Sequence, residues 1–265
     1  MLDEILHRLS HTEFSIKREA VRAVANLLSS RELHPTFIRQ GLSGLVQLQA
    51  ASCADCDYLA ALSVSKLSVT VGSIPALIDN ALKYILSLIK ANDIMTRKHA
   101  ATALRNVSAR SEKKDVFFKL GIPALMVEVL SGKETDLDVL VAATLRSLSC
   151  SKCVVDNLLE SGSLHCVTRS IPNASIDLKV EIAATLGNLS EHVECQPIMI
   201  SHGTVRAIGA LSAVINHHED IWRVRFLCCS YSGYIFFDWD PNQVLFHFFF
   251  PHQGLCSCAG KLVFC

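Results

Sequence analysis

An all-α solenoid of short stacked helical repeats is the fold this sequence predicts, and three observations predict it. One phrase, roughly Ala-Ala-x-Ala-Leu-x-Asn-Leu-Ser, recurs at residues 20–27, 60–68, 100–108, 141–149 and 182–190. Its polar position falls at Asn26, Lys66, Asn106, Ser147 and Asn188, in steps of 40 or 41 residues. A second series, the small residues Gly41, Ala81, Gly121, Gly162 and Gly203, keeps the same step. Between the markers, apolar residues follow helical spacing, and two independent series with one period identify a repeat array.

Taken in order, Leu2, Ile5, Leu6 and Leu9 read as the second helix of a unit whose first helix is missing, with a third helix from about Ile16. That first unit is either an atypical cap or the edge of a longer array. Each later unit is predicted to open at its small residue and to hold a helix pair or triplet. Glycine suits the joint because it accepts a left-handed backbone that ends one helix and starts the next at an angle. After Gly121 the series Ile122, Leu125, Met126, Val129 and Leu130 marks a helix, with Pro123 in its first turn. The alanines of the phrase let the last helix of each unit approach its neighbours closely, so stacked units share one core.

A sixth unit starts with Val205, Ile208, Leu211 and Val214 and reaches Asp220-Ile221-Trp222-Arg223, where the pattern fails. Residues 224 to 253 are rich in Phe, Tyr and Cys, contain Pro241 and Pro251, and lack both alanines and period. The phrase returns at 255–263. The expected organisation is therefore a repeat array over 1–223, an irregular insertion over 224–253, and a remnant of the sixth repeat over 254–265. Two origins fit the insertion. Val224-Arg225 can be encoded like an intron start, and Phe248-Phe249-Phe250-Pro251-His252-Gln253 like a pyrimidine tract ending in CAG, so the segment reads as an unspliced intron. It reads equally as an insertion loop.

Of the 265 residues half are apolar, and 25 basic residues balance 25 acidic ones. No global field draws such a chain to nucleic acid or an acidic membrane. Met1-Leu2-Asp3-Glu4 is acidic where a secretory signal is basic, and the uncharged run from Phe226 to Phe237 is too short to cross a bilayer as a helix. The expectation is a cytoplasmic protein, or one shared with the nucleus, whose eleven cysteines are reduced. Catalytic signatures are missing: no phosphate-binding glycine loop, no serine nucleophile elbow, no His-Glu-x-x-His helix. Cys53 with Cys56, and Cys150 with Cys153, are two Cys-x-x-Cys pairs, too far apart in a solenoid to share a zinc ion. Each reads as reduced thiols at a helix junction; no metal and no cofactor is expected. His217-His218 and the other histidines read as solvated loop residues.

The period, the Gly-Ile-Pro-Ala-Leu at 121–125 and the Ala-Thr-Leu-Gly-Asn-Leu-Ser at 184–190 resemble the armadillo repeat family over residues 1 to about 222; a HEAT-like solenoid is the alternative. The resemblance implies a right-handed superhelix whose units have a short first helix and two longer ones, the third helices lining a concave groove. Residues four apart share a helical face, so the groove stripe comprises Arg22 and Asn26; Lys66; Thr102, Asn106 and Arg110; Ser147; and Asn188 with His192. In that family, asparagines matching Asn26, Asn106 and Asn188 hold the backbone of an extended peptide, since an amide both donates and accepts. The other reading is that each bonds a neighbouring repeat. Import-receptor relatives carry a tryptophan four residues before each groove asparagine, where this chain has Arg22, Thr102 and Ala184. With Arg22, Lys66 and Arg110 in the stripe, a basic peptide would be repelled.

The expected function is accordingly a non-catalytic scaffold or adaptor that binds an extended, neutral to acidic partner segment, as in the β-catenin type of groove. A nuclear transport receptor of the importin-α type is the alternative, and an enzyme domain in the irregular C-terminal region is a third class. The partner is expected to be a protein or peptide, with no nucleic acid and no membrane insertion.

Overall fold

The computed structural model describes residues 2–48, 53–130, 135–151, 174–190, 192, 196–201, 235–240 and 243–248. Over 2–201 every regular element among them is helical. Helix α1 (Leu2–Leu9) and helix α2 (Phe14–Leu27) are the second and third helices of the first unit, as their spacing predicts, with α2 starting slightly before Ile16. The next unit holds α3 (His34–Gln40), α4 (Leu42–Gln47) and α5 (Ala54–Ser68). The third unit has α6 (Ile74–Ala76) running into a π-helical turn over Leu77–Ala81, then α7 (Leu82–Ile89) and α8 (Ile94–Arg110). The fourth repeats the triplet with α9 (Lys114–Lys119), α10 (Ile122–Val129) and α11 (Thr135–Ser149). Helix α12 (Ile176–Ser190) is the third helix of the fifth unit, and α13 (Gln196–Ser201) follows it.

The triplets correct the position of the small-residue marker. Gly41, Ala81 and Gly121 do not open units; each lies between a short first helix and the second helix. Those first helices are brief and carry little periodic pattern, which is why spacing alone passes over them. Among the described joints the left-handed backbone is found only at Gly121, with φ of 65°. Gly41 and Ala81 are right-handed at φ of −114° and −115°. Gly162 and Gly203 lie outside the described residues.

Third helices α2, α5, α8, α11 and α12 pack in succession. Ala60, Ala61, Ala100, Ala101, Ala103, Ala142, Ala143, Ala183 and Ala184 are all buried in the seams. Around them one core runs from Leu9 to Met199, and each large apolar side chain in it contributes roughly 1.5–3 kcal/mol. Buried His34 fastens one seam: its Nε2 is 2.9 Å from the Leu28 carbonyl oxygen and its Nδ1 is 2.7 Å from Thr70 Oγ1. Among the described residues no single helix is long and apolar enough to cross a membrane.

Within the segment where the phrase fails, Ile235–Asp240 (β1) and Gln243–Phe248 (β2) pair antiparallel, from Ile235 opposite Phe248 to Asp240 opposite Gln243. The stretch reads as irregular beside the helical period, yet its aromatic and β-branched residues suit strands. The rest of 224–253 and the expected remnant at 254–265 lie outside the described residues.

Candidate functional site

The nine residues of the predicted stripe all lie on or just past third helices, and they divide by what their polar groups do. Asn26 and Arg22 on α2 are exposed. The Asn26 amide makes no hydrogen bond to the described residues, while Arg22 Nη1 donates to Glu19 at 2.8 and 3.1 Å. From the second unit onward the stripe bonds backward. Lys66 Nζ donates to the Ala25 carbonyl at 2.6 Å and to Ser29 Oγ at 2.9 Å. Asn106 Nδ2 donates to Ser68 Oγ at 3.0 Å, and Arg110 Nη1 to the carbonyls of Ser68 at 2.8 Å and Val69 at 3.2 Å. Asn188 Nδ2 reaches the Arg146 carbonyl at 3.1 Å, Ser149 Oγ at 3.0 Å and Cys150 Sγ at 3.2 Å.

Thr102 and Ser147 instead turn inward on their own helices, donating to the carbonyls of Lys98 and Ala143 at 2.9 Å. Serine is too short to cross to the preceding unit, where the Ser108 carbonyl is taken by Lys114. Burial holds the Lys114 ammonium below the usual lysine range. His192 is half-buried beyond the end of α12.

Of the three asparagines, Asn26 is exposed and makes no amide hydrogen bond to the described residues. Asn106 and Asn188 are half-buried and spend an N–H on the preceding repeat, although each carbonyl oxygen accepts nothing from the described residues. The residues that spacing missed are their acceptors. Ser68 and Ser149, the last letters of the phrase, are fully buried and donate to Ser65 and Arg146 three residues back. Each hydroxyl thus passes one hydrogen bond on and accepts another from the next unit. The signal is in the sequence: Ser68 and Ser149 each end a phrase one unit before Asn106 and Asn188, Ser108 ends one before Ser147, and where Leu28 replaces that serine the next unit carries Lys66.

Ion pairs join the same helices farther up. Lys98 Nζ is 2.8 Å from Asp136 Oδ2, Arg146 Nε is 2.8 Å from Glu181 Oε2, and Arg18 Nη1 is 3.7 Å from Asp55 Oδ2. Tyr58 meets the His99 ring edge-on at 5.6 Å. Burial, reinforced by the Lys66 charge and opposed by Asp93, keeps the His99 imidazole below its usual range. Among the described residues no group of His, Cys, Asp and Glu side chains could hold a metal ion.

No protein-family model matches the sequence, and no curated protein is similar to it. Solved structures do match. A set of computationally designed armadillo repeat proteins for modular peptide recognition aligns with a TM-score of 0.79 at 18% identity, covering 87% of this chain and 99% of that one. A designed armadillo repeat protein in complex with the peptide (KR)4 gives 0.77 at 17% identity, with coverage of 87% and 98%. A further designed armadillo repeat protein gives 0.74 at 18%, with coverage of 88% and 100%. With helix triplets on a common period and third helices stacked in succession, the chain has the armadillo repeat fold.

Proposed function

We propose that this chain is a non-catalytic scaffold of the cytosol or nucleus that receives an extended, neutral to acidic protein segment along its third helices. The observation that carries the reading is how the stripe's cations are satisfied. Lys66 and Arg110 donate to neutral carbonyls and a hydroxyl, and neither has a carboxylate partner among the described residues. Their positive charge is held in place without being cancelled, which favours an acidic ligand and disfavours a basic one. Asn26, with a whole free amide, and the free oxygens of Asn106 and Asn188 supply polar contacts for a peptide backbone. The armadillo proteins designed for peptide recognition support a peptide-binding use of this fold. At the positions where import receptors keep tryptophan, Thr102 is half-buried and Ala184 fully buried, which leaves no aromatic slot for a lysine stem.

Binding of fluorescent extended peptides, one glutamate-rich, one uncharged and (KR)4, tests this. The glutamate-rich peptide should bind tightest and weaken as salt rises. Arg110→Glu should weaken it by roughly tenfold, about 1.4 kcal/mol. Equal or tighter binding of (KR)4, or indifference to Arg110→Glu, would overturn the assignment.

A further inference from the structure

Helix α5 starts on Cys53-Ala54-Asp55-Cys56, a motif that peptide binding leaves unused. Cys53 is the N-cap, with an extended backbone at φ −142° and ψ 131°, and its sulfur caps no backbone N–H. Cys56 is the third residue of the helix. N-cap and third-residue side chains face each other across the first turn, the geometry that lets a capping pair bond reciprocally. Here both members are thiols.

Their surroundings are unequal. Cys53 is half-buried and open to solvent, whereas Cys56 is 1% exposed. Behind Cys56 lies Tyr84 of α7, itself 1% exposed, with a hydroxyl that has no hydrogen-bond partner among the described residues. The Tyr84 hydroxyl is within electrostatic reach of both Cys56 and Asp57. The inner sulfur is thus closed to solvent, and the outer one is the member of the pair that solvent reaches. Burial, then Cys53, then Asp57 and Asp55 push the Cys56 thiol up to about 12, and Cys53 is the sulfur that a solvent-borne disulfide meets first.

We propose that Cys53 and Cys56 form a reversible dithiol–disulfide site that exchanges with small disulfides of the glutathione class. The Cys53 thiolate attacks one sulfur of oxidised glutathione; a bond forms between them, the glutathione S–S bond breaks, and one glutathione leaves as a thiolate and takes a proton. Cys56 then gives up its proton, and its sulfur displaces the second glutathione from Cys53. Two protein thiols are oxidised, one disulfide is reduced to two thiols, and the protons balance.

The test uses the full chain in glutathione buffers of graded ratio, quenched in acid, alkylated and digested with trypsin. The tryptic peptide 40–66 contains Cys53 and Cys56 and no other cysteine. It should be recovered two hydrogens lighter than the dithiol, in a fraction set by the squared glutathione concentration over that of its disulfide, and dithiothreitol should reverse it. Cys56→Ser should instead accumulate glutathione on Cys53, and Cys53→Ser should leave Cys56 unmodified. The proposal is overturned if the wild-type peptide stays a dithiol under conditions that modify the exposed Cys150, or if it stops at the mixed disulfide. The wild-type peptide decides by itself, whatever the variants do to folding.

Discussion

A Cβ placed on Gly41 would stand 2.6 Å from Leu6 Cδ2 and 2.6 Å from a ring carbon of Phe37, whereas one on Gly121 would meet nothing within 4 Å. The two glycines occupy equivalent joints for different reasons. Ala81, at the third such joint, shares Gly41's backbone angle and buries its methyl group, so the joint does not itself require glycine. At Gly41 the requirement is close approach, and at Gly121 it is the φ of 65°. Gly121→Ala should therefore cost about 1–2 kcal/mol, the penalty of a left-handed L-residue. Gly41→Ala should cost about 1–3 kcal/mol by overpacking and should recover in part when Leu6→Ala is added. Denaturation midpoints of the single and double variants check this; recovery of Gly121→Ala by the Leu6 change would contradict it.

Among helix starts, α8 differs from α2 and α5. Glu13 and Cys53 make no side-chain cap, but the Asp93 carboxylate accepts the Thr96 N–H and the Thr96 hydroxyl, both at 2.7 Å. Those bonds, the hydroxyl first, hold the Asp93 carboxyl below its ordinary value of 3.8. Because the folded pKa is the lower one, the cap stabilises fully above the ordinary carboxylate range and is lost as pH falls through the depressed value. Asp93→Ala should thus cost about 1 kcal/mol at neutral pH. The gap between variant and wild type should close well below about pH 4. Midpoints measured at both pH values decide it, and a gap that persists in acid would show that something other than the charged cap is lost.

Adjacent units are tied by the apolar seam and, at every described junction of third helices except α8 with α11, where Ser147 bonds its own helix, by a polar rung. The rung is indifferent to local helix propensity: Asn106 crosses to Ser68 and Asn188 to Ser149, whereas Lys66, facing a unit with Leu28 in place of serine, reaches Ala25 and Ser29. A double-mutant cycle on Asn106→Ala and Ser68→Ala should give a coupling of about 0.5–1.5 kcal/mol, the net worth of one hydrogen bond. The same cycle on Asn106 and Asn26, which do not touch, should be additive. Additivity at Asn106 and Ser68 would remove the rung from the account of how units hold together.

The forty-residue period, the third helices and the alanine seams were legible in the residues alone, since periodicity and small side chains are local information that each unit restates. The short first helices were not, because α9 (Lys114–Lys119) and its counterparts are too brief to display a period. Nor could spacing rank the three asparagines, which share one phase and one phrase. Tertiary packing decides that Asn106 and Asn188 spend a donor on the unit before them and that Asn26 keeps its amide whole. A hydrogen bond between residues some forty positions apart exists only once stacking brings the two helices within its 3 Å reach.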